Sequence, residues 1–361
     1  MKITEADIAI CENAGSFLQS SMWGEFKSRF EWKANAFLID WSENAQEKTP
    51  LLALSRKILP GFSFAYIPWG PQLPSLFKAD ERPQMTVELA EKLKPFLARN
   101  TVFVRFDFPW FFLEGDEKLI AERASLINAG FKTAAAQVQP PDSVIIDLSV
   151  SCEDILASMK PKWRYNISLA EKKGVVVKAC TSRELEIFYS LLKETAQRDG
   201  IAVHGFNYYK TLFDICENRE KKDLSVKLYT ASHEGETLAA IVVLFRGNEA
   251  TYLYGASSNN KRNLMAPYAL QWKAIKDAKN SGCEKYDLFG IPPDDNPNHP
   301  MAGLYRFKTG FGGQIIHRPG SWDYAYKGLI YNLFRIAERL RKKIFDLRKS
   351  SQKGKKTHGI G

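Results

Sequence analysis

Residues 225–257 read SVKLYTASHEGETLAAIVVLFRGNEATYLYGAS. Three runs rich in Val, Ile, Leu, Tyr and Thr are divided by HEGE (233–236) and RGNE (246–249). Short Gly-containing turns between such runs are hairpin signals, so the stretch predicts an antiparallel three-stranded meander. Downstream, APYALQWKAIKDAKNSG (266–282) has helical periodicity and stops at Gly282. EKYDLFGI (284–291) then reads as a strand carrying Asp287.

The first part of the chain repeats this order. FLIDW (37–41), PLLALSRKIL (50–59) and SFAYIPWGP (63–71) read as successive strands. TVELAEKLKPFLARN (86–100) is helical in pattern, and TVFVRFDFP (101–109) is a strand with Asp107 near its end. Each half is therefore β-β-β-α-β, with YIPWGP and YLYGAS in equivalent places. That order is the core of the N-acetyltransferase-like (GNAT) fold. The fold class expected is α/β (α+β) with two tandem GNAT-like domains, residues 1–145 and 146–321. A C-terminal basic amphipathic helix and disordered tail follow at 322–361.

Composition agrees with two domains: 361 residues with 45% apolar side chains are ample for two cores. The net charge of +10 points to an acidic partner such as nucleic acid, phosphate or anionic lipid. Between Arg335 and Lys356 there are ten Lys/Arg and two acidic residues, which is +8 and leaves the rest of the chain near +2. A second basic concentration is internal: MKPKWRYNISLAEKKGVVV (159–177), with Lys160, Lys162, Arg164, Lys172 and Lys173. Pro161 suits a helix start there and Gly174 a helix stop. These bases either contact the phosphates of an acidic partner or form the solvated face of a structural helix.

The five cysteines are scattered and no His stands at ligand spacing, so neither a disulfide framework nor a metal site is expected. The N-terminus MKITEADIAICENAG lacks a basic n-region, and the strongly apolar run LAAIVVLF (238–245) is too short to span a bilayer. A cytoplasmic protein is expected, with the option of peripheral contact at the inner face of the plasma membrane. GxSxG and HExxH are absent, which removes support for a serine hydrolase or metalloprotease.

The scaffold raises acyl transfer from acyl-CoA as one hypothesis. Such enzymes hold the pyrophosphate with backbone N–H groups of a Gly-rich turn opening the central helix. The corresponding segments, SSNNKRNLMAPYALQW (257–272) and QLPSLFKADERP (72–83), have no glycines. A donor other than CoA is therefore favoured.

Several segments together resemble the FemABX family. They are LQSSMWGEFKSRFEW (18–32), FVRFDFP (103–109), SMKPKWRYNISLAEKKGVVV (158–177), YLYGASS (252–258), APYALQWKAIKDA (266–278), KYDLFGI (285–291) and GLYRFKTGFGG (303–313). The resemblance implies two tandem GNAT-like domains. Sustained heptads are absent, so it implies a member without the coiled-coil arm that some relatives carry. It implies aminoacyl transfer from aminoacyl-tRNA to the side-chain amine of the third stem-peptide residue of a peptidoglycan precursor. Aminoacyl-tRNA is then a co-substrate, and no cofactor or metal is needed.

The resemblance also assigns roles. Lys308 matches the lysine of a Phe-Lys pair at the reaction centre, beside Phe307; read alone, it is a solvated lysine next to a strand. Lys27 matches a lysine that contacts precursor phosphates, with Arg29 able to share the task; read alone, they are the outward bases of a helix burying Trp23, Phe26 and Phe30. Tyr208 matches a substrate-binding tyrosine. Some members carry an arginine four residues before it, where this chain has His204, or Gly205 if the alignment shifts by one, and Arg198 is a candidate substitute from the preceding helix. Tyr252 and Tyr254 alternate with Leu253, so they are expected on one strand face, as a channel wall. Asp107 and Asp287 read as structural caps of the loops that follow them.

The tail bears on the acceptor. Leu329, Leu333, Ile336, Leu340, Ile344 and Leu347 recur at steps of three or four, forming one helical stripe among bases. Such a helix can lie on an anionic membrane, contact tRNA, or dock on the core with a solvated basic end. Together with the missing arginine, it tips the acceptor toward lipid II over UDP-MurNAc-pentapeptide. A CoA-dependent N-acyltransferase and a non-enzymatic RNA- or membrane-binding module are the rival readings.

Overall fold

A computed structural model describes residues 1–41, 48–75, 77–219 and 224–357. The chain forms two compact units, Met1–Pro141 with Arg318–Gly361, and Asp142–His317. Both are mixed α/β and each is built on one twisted sheet.

In the first unit the strand order is Lys2–Ala6, Lys33–Asp40, Thr49–Leu59, Phe62–Ile67, Thr101–Asp107, Ser321–Ala325, Lys132–Thr133. Among the described residues, Phe62–Ile67 with Thr101–Asp107 is the parallel pair and the other neighbours are antiparallel. The second unit gives the same order with Val176–Cys180, Leu224–His233, Glu236–Arg246, Glu249–Ser257, Lys285–Asp287, Asp142–Asp147, Gln314–His317. Its one parallel pair, Glu249–Ser257 with Lys285–Asp287, falls at the equivalent place. The β-β-β-α-β repeat read in the sequence is therefore two copies of one sheet topology.

Local chemistry explains the elements. Glu234 and Gly235 both take positive φ (51° and 80°), the two-residue turn that matches strand twist. The central helix of the second unit, Ala266–Asn280, has Pro267 in its first turn and ends before Gly282 at φ 85°. It buries Ala269, Leu270, Trp272, Ala274, Ile275 and Ala278 against Ile241, Val243, Phe245 and Tyr286 of the sheet.

The chain's end departs from the expected division. Residues 321–325, expected mostly within a tail, form an inner strand of the first unit's sheet, between Thr101–Asp107 and Lys132–Thr133. Trp322 and Asp323 are fully buried there, and Asp323 takes two hydrogen bonds from Arg105, at 2.7 and 2.9 Å. A helix then spans Gly328–Thr357. Residues expected to be disordered up to 357 are thus helical, and 358–361 lie outside the described residues. No described helix is long and apolar enough to cross a membrane.

Candidate active site

The site is built where the second unit's fifth strand ends. Asp287, the last residue of Lys285–Asp287, accepts hydrogen bonds from the Ser143 hydroxyl and from Phe289 N (2.7 Å). The second bond caps the loop that follows, as expected. Phe289 takes φ 55°, an uncommon conformation for a bulky residue. Such local strain clusters at functional sites.

Lys308 lies on the short helix Ala302–Thr309, and not beside a strand as a solvated lysine. Its side chain is buried, 6% exposed. Nζ donates to Phe289 O (2.8 Å) and Gly290 O (3.0 Å) and stands 4.9 Å from the Tyr252 ring centroid. Burial pulls the Lys308 pKa down to about 7, and the Asp287 carboxylate opposes that shift. The amine is thus divided between its two protonation states near neutral pH.

A second helix fixes this one. Trp163, in the helix Pro161–Lys172, donates from Nε1 to Phe307 O (2.9 Å), and Lys160 N donates to Gly310 O (3.0 Å). A Cβ on Gly310 would lie 2.1 Å from the Trp163 ring, so only glycine admits the indole there. The basic segment of the sequence is thereby hydrogen-bonded to the Lys308 segment. Lys160, Lys162, Lys172 and Lys173 are exposed on it. Arg164 differs: its Nη1 donates to Ala157 O (3.1 Å) and Met159 O, closing the end of the helix Cys152–Ser158. Phe307 is an aromatic packing residue, its ring 5.3 Å from Tyr268 and 5.1 Å from Phe311. Trp163, Gly310 and Asp287 carry the site's geometry. The sequence marks no role for Trp163 or Gly310 and only a capping one for Asp287, since Trp163 bonds Phe307 O and Asp287 the Ser143 hydroxyl, each across 144 residues, and Gly310 acts through its backbone and its missing Cβ.

The two strand tyrosines do not share a face. The register with Glu236–Arg246 passes from Val242↔Tyr254 to Val243↔Tyr252, so Leu253 is an extra residue in a β-bulge. A bulge inserts one residue and reverses the alternation beyond it. Tyr252 joins the face of Val243, with the central helix and Lys308. Tyr254 turns to the opposite face and meets Tyr209 edge-on at 5.1 Å. Tyr208 is buried on the helix Phe206–Glu217, hydrogen-bonds Tyr254, and stacks on the exposed His204 at 3.8 Å. Arg198 directs its guanidinium to Ser257 O (2.9 Å), Asn259 and Asp199, and so clamps its helix end to the tyrosine strand.

In the first unit, Lys27 lies in the last turn of the helix Ser21–Ser28, with Nζ 5.6 Å from the Trp23 ring and 5.7 Å from the Trp32 ring. Burial, and then the charge of Arg56, lower its pKa to about 8. Trp23 and Phe26 are buried as expected, but Lys27 is half-buried beside them and only Arg29 points outward, 3.7 Å from Glu25. Arg56, 5.6 Å from the Trp32 ring, is a second cation of this cluster that the sequence did not single out.

The family model described as FemAB family matches residues 9–228 and 216–339. The chain belongs to the FemAB family. Among curated relatives, it is 24% identical over 393 residues to a lipid II:glycine glycyltransferase of Staphylococcus epidermidis, covering 91% of this chain and 92% of the relative. It is 23% identical over 395 residues to the lipid II:glycine glycyltransferase of Staphylococcus aureus, with the same coverage. Among solved structures, that of FemX superposes with a TM-score of 0.76 at 19% identity, over 93% of this chain and all of FemX. A tandem GNAT protein from the clavulanic acid biosynthesis pathway superposes with a TM-score of 0.52 at 12% identity, over 90% of this chain and 98% of that one. The tandem GNAT-like fold is thus common to this FemAB protein and its structural neighbours.

Proposed function

We propose that this FemAB protein is a peptidoglycan aminoacyltransferase, moving glycine, alanine or serine from aminoacyl-tRNA to the third stem-peptide residue of a precursor. The observation that carries the reading is the buried Lys308 amine, held by two carbonyl oxygens and poised near neutrality. In ester aminolysis the acceptor amine attacks the carbonyl carbon, an oxyanion forms, and the ribose oxygen leaves with a proton as the amide forms. An ammonium has three donors, and Phe289 O and Gly290 O take two. The third serves the oxyanion or the departing ribose oxygen. A pKa near 7 suits an acid that must give up a proton and regain it.

Lys27 and Arg56 supply positive charge for precursor phosphate, while Tyr252 stands over Lys308. Exposed Lys160, Lys162, Lys172 and Lys173 offer a phosphate track for tRNA on the helix that braces Lys308. The names of the curated relatives, matched along nine-tenths of both chains, favour lipid II over the UDP-linked precursor. The CoA reading is weaker. At the opening of the central helix, Pro267 removes a backbone donor that a pyrophosphate would use.

Incubation with charged tRNAs and either precursor, read by mass spectrometry, tests the proposal. The product mass names the amino acid, and the productive precursor names the acceptor. Lys308→Met should lower turnover by about 10²–10³ with the fold intact, the usual cost of losing one oxyanion donor. Near-normal turnover of that variant would sink the assignment.

A further inference from the structure

The C-terminal helix Gly328–Thr357 has two faces with opposite duties. Tyr331, Phe334 and Glu338, at steps of three and four, form the docked face. Tyr331 is fully buried and donates to Asp323 Oδ2 (3.0 Å), while the Phe103 ring lies 5.3 Å from Tyr331 and 5.2 Å from Phe334. Glu338 takes two bonds from the buried Arg105, at 2.9 and 3.1 Å. At 100° per residue the opposite side carries Leu329, Leu333, Ile336 and Leu340. They are 85%, 69%, 56% and 55% exposed. An aligned row of four large exposed aliphatics is more than the scattered apolar residues of an ordinary surface.

Charge decides what covers the row. Arg339 and Arg341 fall on the two flanks of the stripe and Lys343 near its edge, and all three are exposed. The acid among them, Glu338, is committed to Arg105, so little negative charge opposes the bases on the outer side. Beyond the described side chains the sequence keeps the spacing with Ile344 and Leu347, and the bases continue to Lys356. An apolar stripe bordered by Arg and Lys fits the interface of an anionic bilayer, where leucines enter the acyl boundary and the bases meet headgroup phosphates. We infer that the outer face of this helix is a peripheral docking surface for anionic membrane, anchored to the first unit through the Arg105–Glu338 and Tyr331–Asp323 contacts. The inference does not depend on the transfer chemistry.

The test is co-sedimentation of the full chain with vesicles of phosphatidylcholine alone or with 30 mol% (an order-of-magnitude choice, about one lipid in three) phosphatidylglycerol. The wild type should partition onto the anionic vesicles only, and more weakly as salt rises. Replacing Arg339, Arg341 and Lys343 with Gln should weaken partitioning on the order of 100-fold, each base near the surface being worth about fivefold. Replacing Leu329, Leu333, Ile336 and Leu340 with Ser should weaken it about tenfold or more, because their burial in lipid is lost. Both variants keep the docked face, which an unchanged thermal melt would verify. Three results would overturn the inference: no partitioning of the wild type at low salt, full partitioning of the serine variant, or a wild-type dimer that the serine variant converts to monomer. Loss of tRNA binding by the glutamine variant with vesicle binding intact would overturn it as well.

Discussion

A buried lysine that titrates near pH 7 has a thermodynamic signature that does not require knowing the substrate. The Lys308 pKa is about 7 in the folded chain against 10.5 for an ordinary lysine. Between those values the unfolded chain binds more protons than the folded one, so stability from this group rises with pH. That contribution is complete above pH 10.5 and is lost as pH falls through about 7. From pH 6 to pH 9 the integrated gain is about 3 kcal/mol, with a slope approaching about 1.4 kcal/mol per unit in the steepest part. Lys308→Met removes the term. Lys27 and the raised tyrosines also titrate in alkaline solution, so the informative quantity is the difference between wild type and variant. Urea unfolding of both proteins at pH 6, 7, 8 and 9 measures it. The variant should gain relative to wild type at the acid end by about 3 kcal/mol more than at the alkaline end. A difference that stays constant within about 0.5 kcal/mol, the scatter of such measurements, would refute the buried, perturbed amine and with it the acid role assigned to Lys308.

Two further outcomes follow from the packing. Gly310→Ala should force the Trp163 indole off Phe307 O, lowering the transfer rate by about tenfold or more through misplacement of Lys308 while leaving precursor affinity nearly unchanged. Steady-state kinetics and tryptophan fluorescence check it. Arg105→Met should cost about 3–5 kcal/mol in urea unfolding, because Asp323 and Glu338 lose their buried cation; a loss below about 1 kcal/mol would contradict the network.

Much of the scaffold was legible in the sequence because it rests on local chemistry. The HEGE turn demands positive φ at two successive residues, and Glu234–Gly235 provides it. Periodicity and Pro/Gly punctuation marked the helix Ala266–Asn280, and the same rules marked Pro161–Lys172. The duplicated β-β-β-α-β order and the FemAB kinship followed from those elements and from scattered matching segments. The strand 321–325 was not legible, since its burial depends on Arg105, more than 200 residues earlier.

Tertiary structure decided what the candidate residues do. Lys308 has an ordinary sequence setting, and its perturbed amine exists only because burial removes water and Phe289 O and Gly290 O replace it. Tyr252 and Tyr254 alternate by sequence, yet the bulge at Leu253 sends them to opposite faces, because strand parity is set by pairing with the neighbour and not by counting residues. The basic segment at 159–177 split in the same way, with Arg164 spent on backbone carbonyls and four lysines left in solvent. In the C-terminal helix, sequence identified an apolar stripe, but Arg105, Asp323 and Phe103 chose the other face for docking. Sequence thus determined the elements and the kinship, through short-range rules of turn, cap and period. Only the fold determined which side chains lose water, which find a partner, and which are left facing outward.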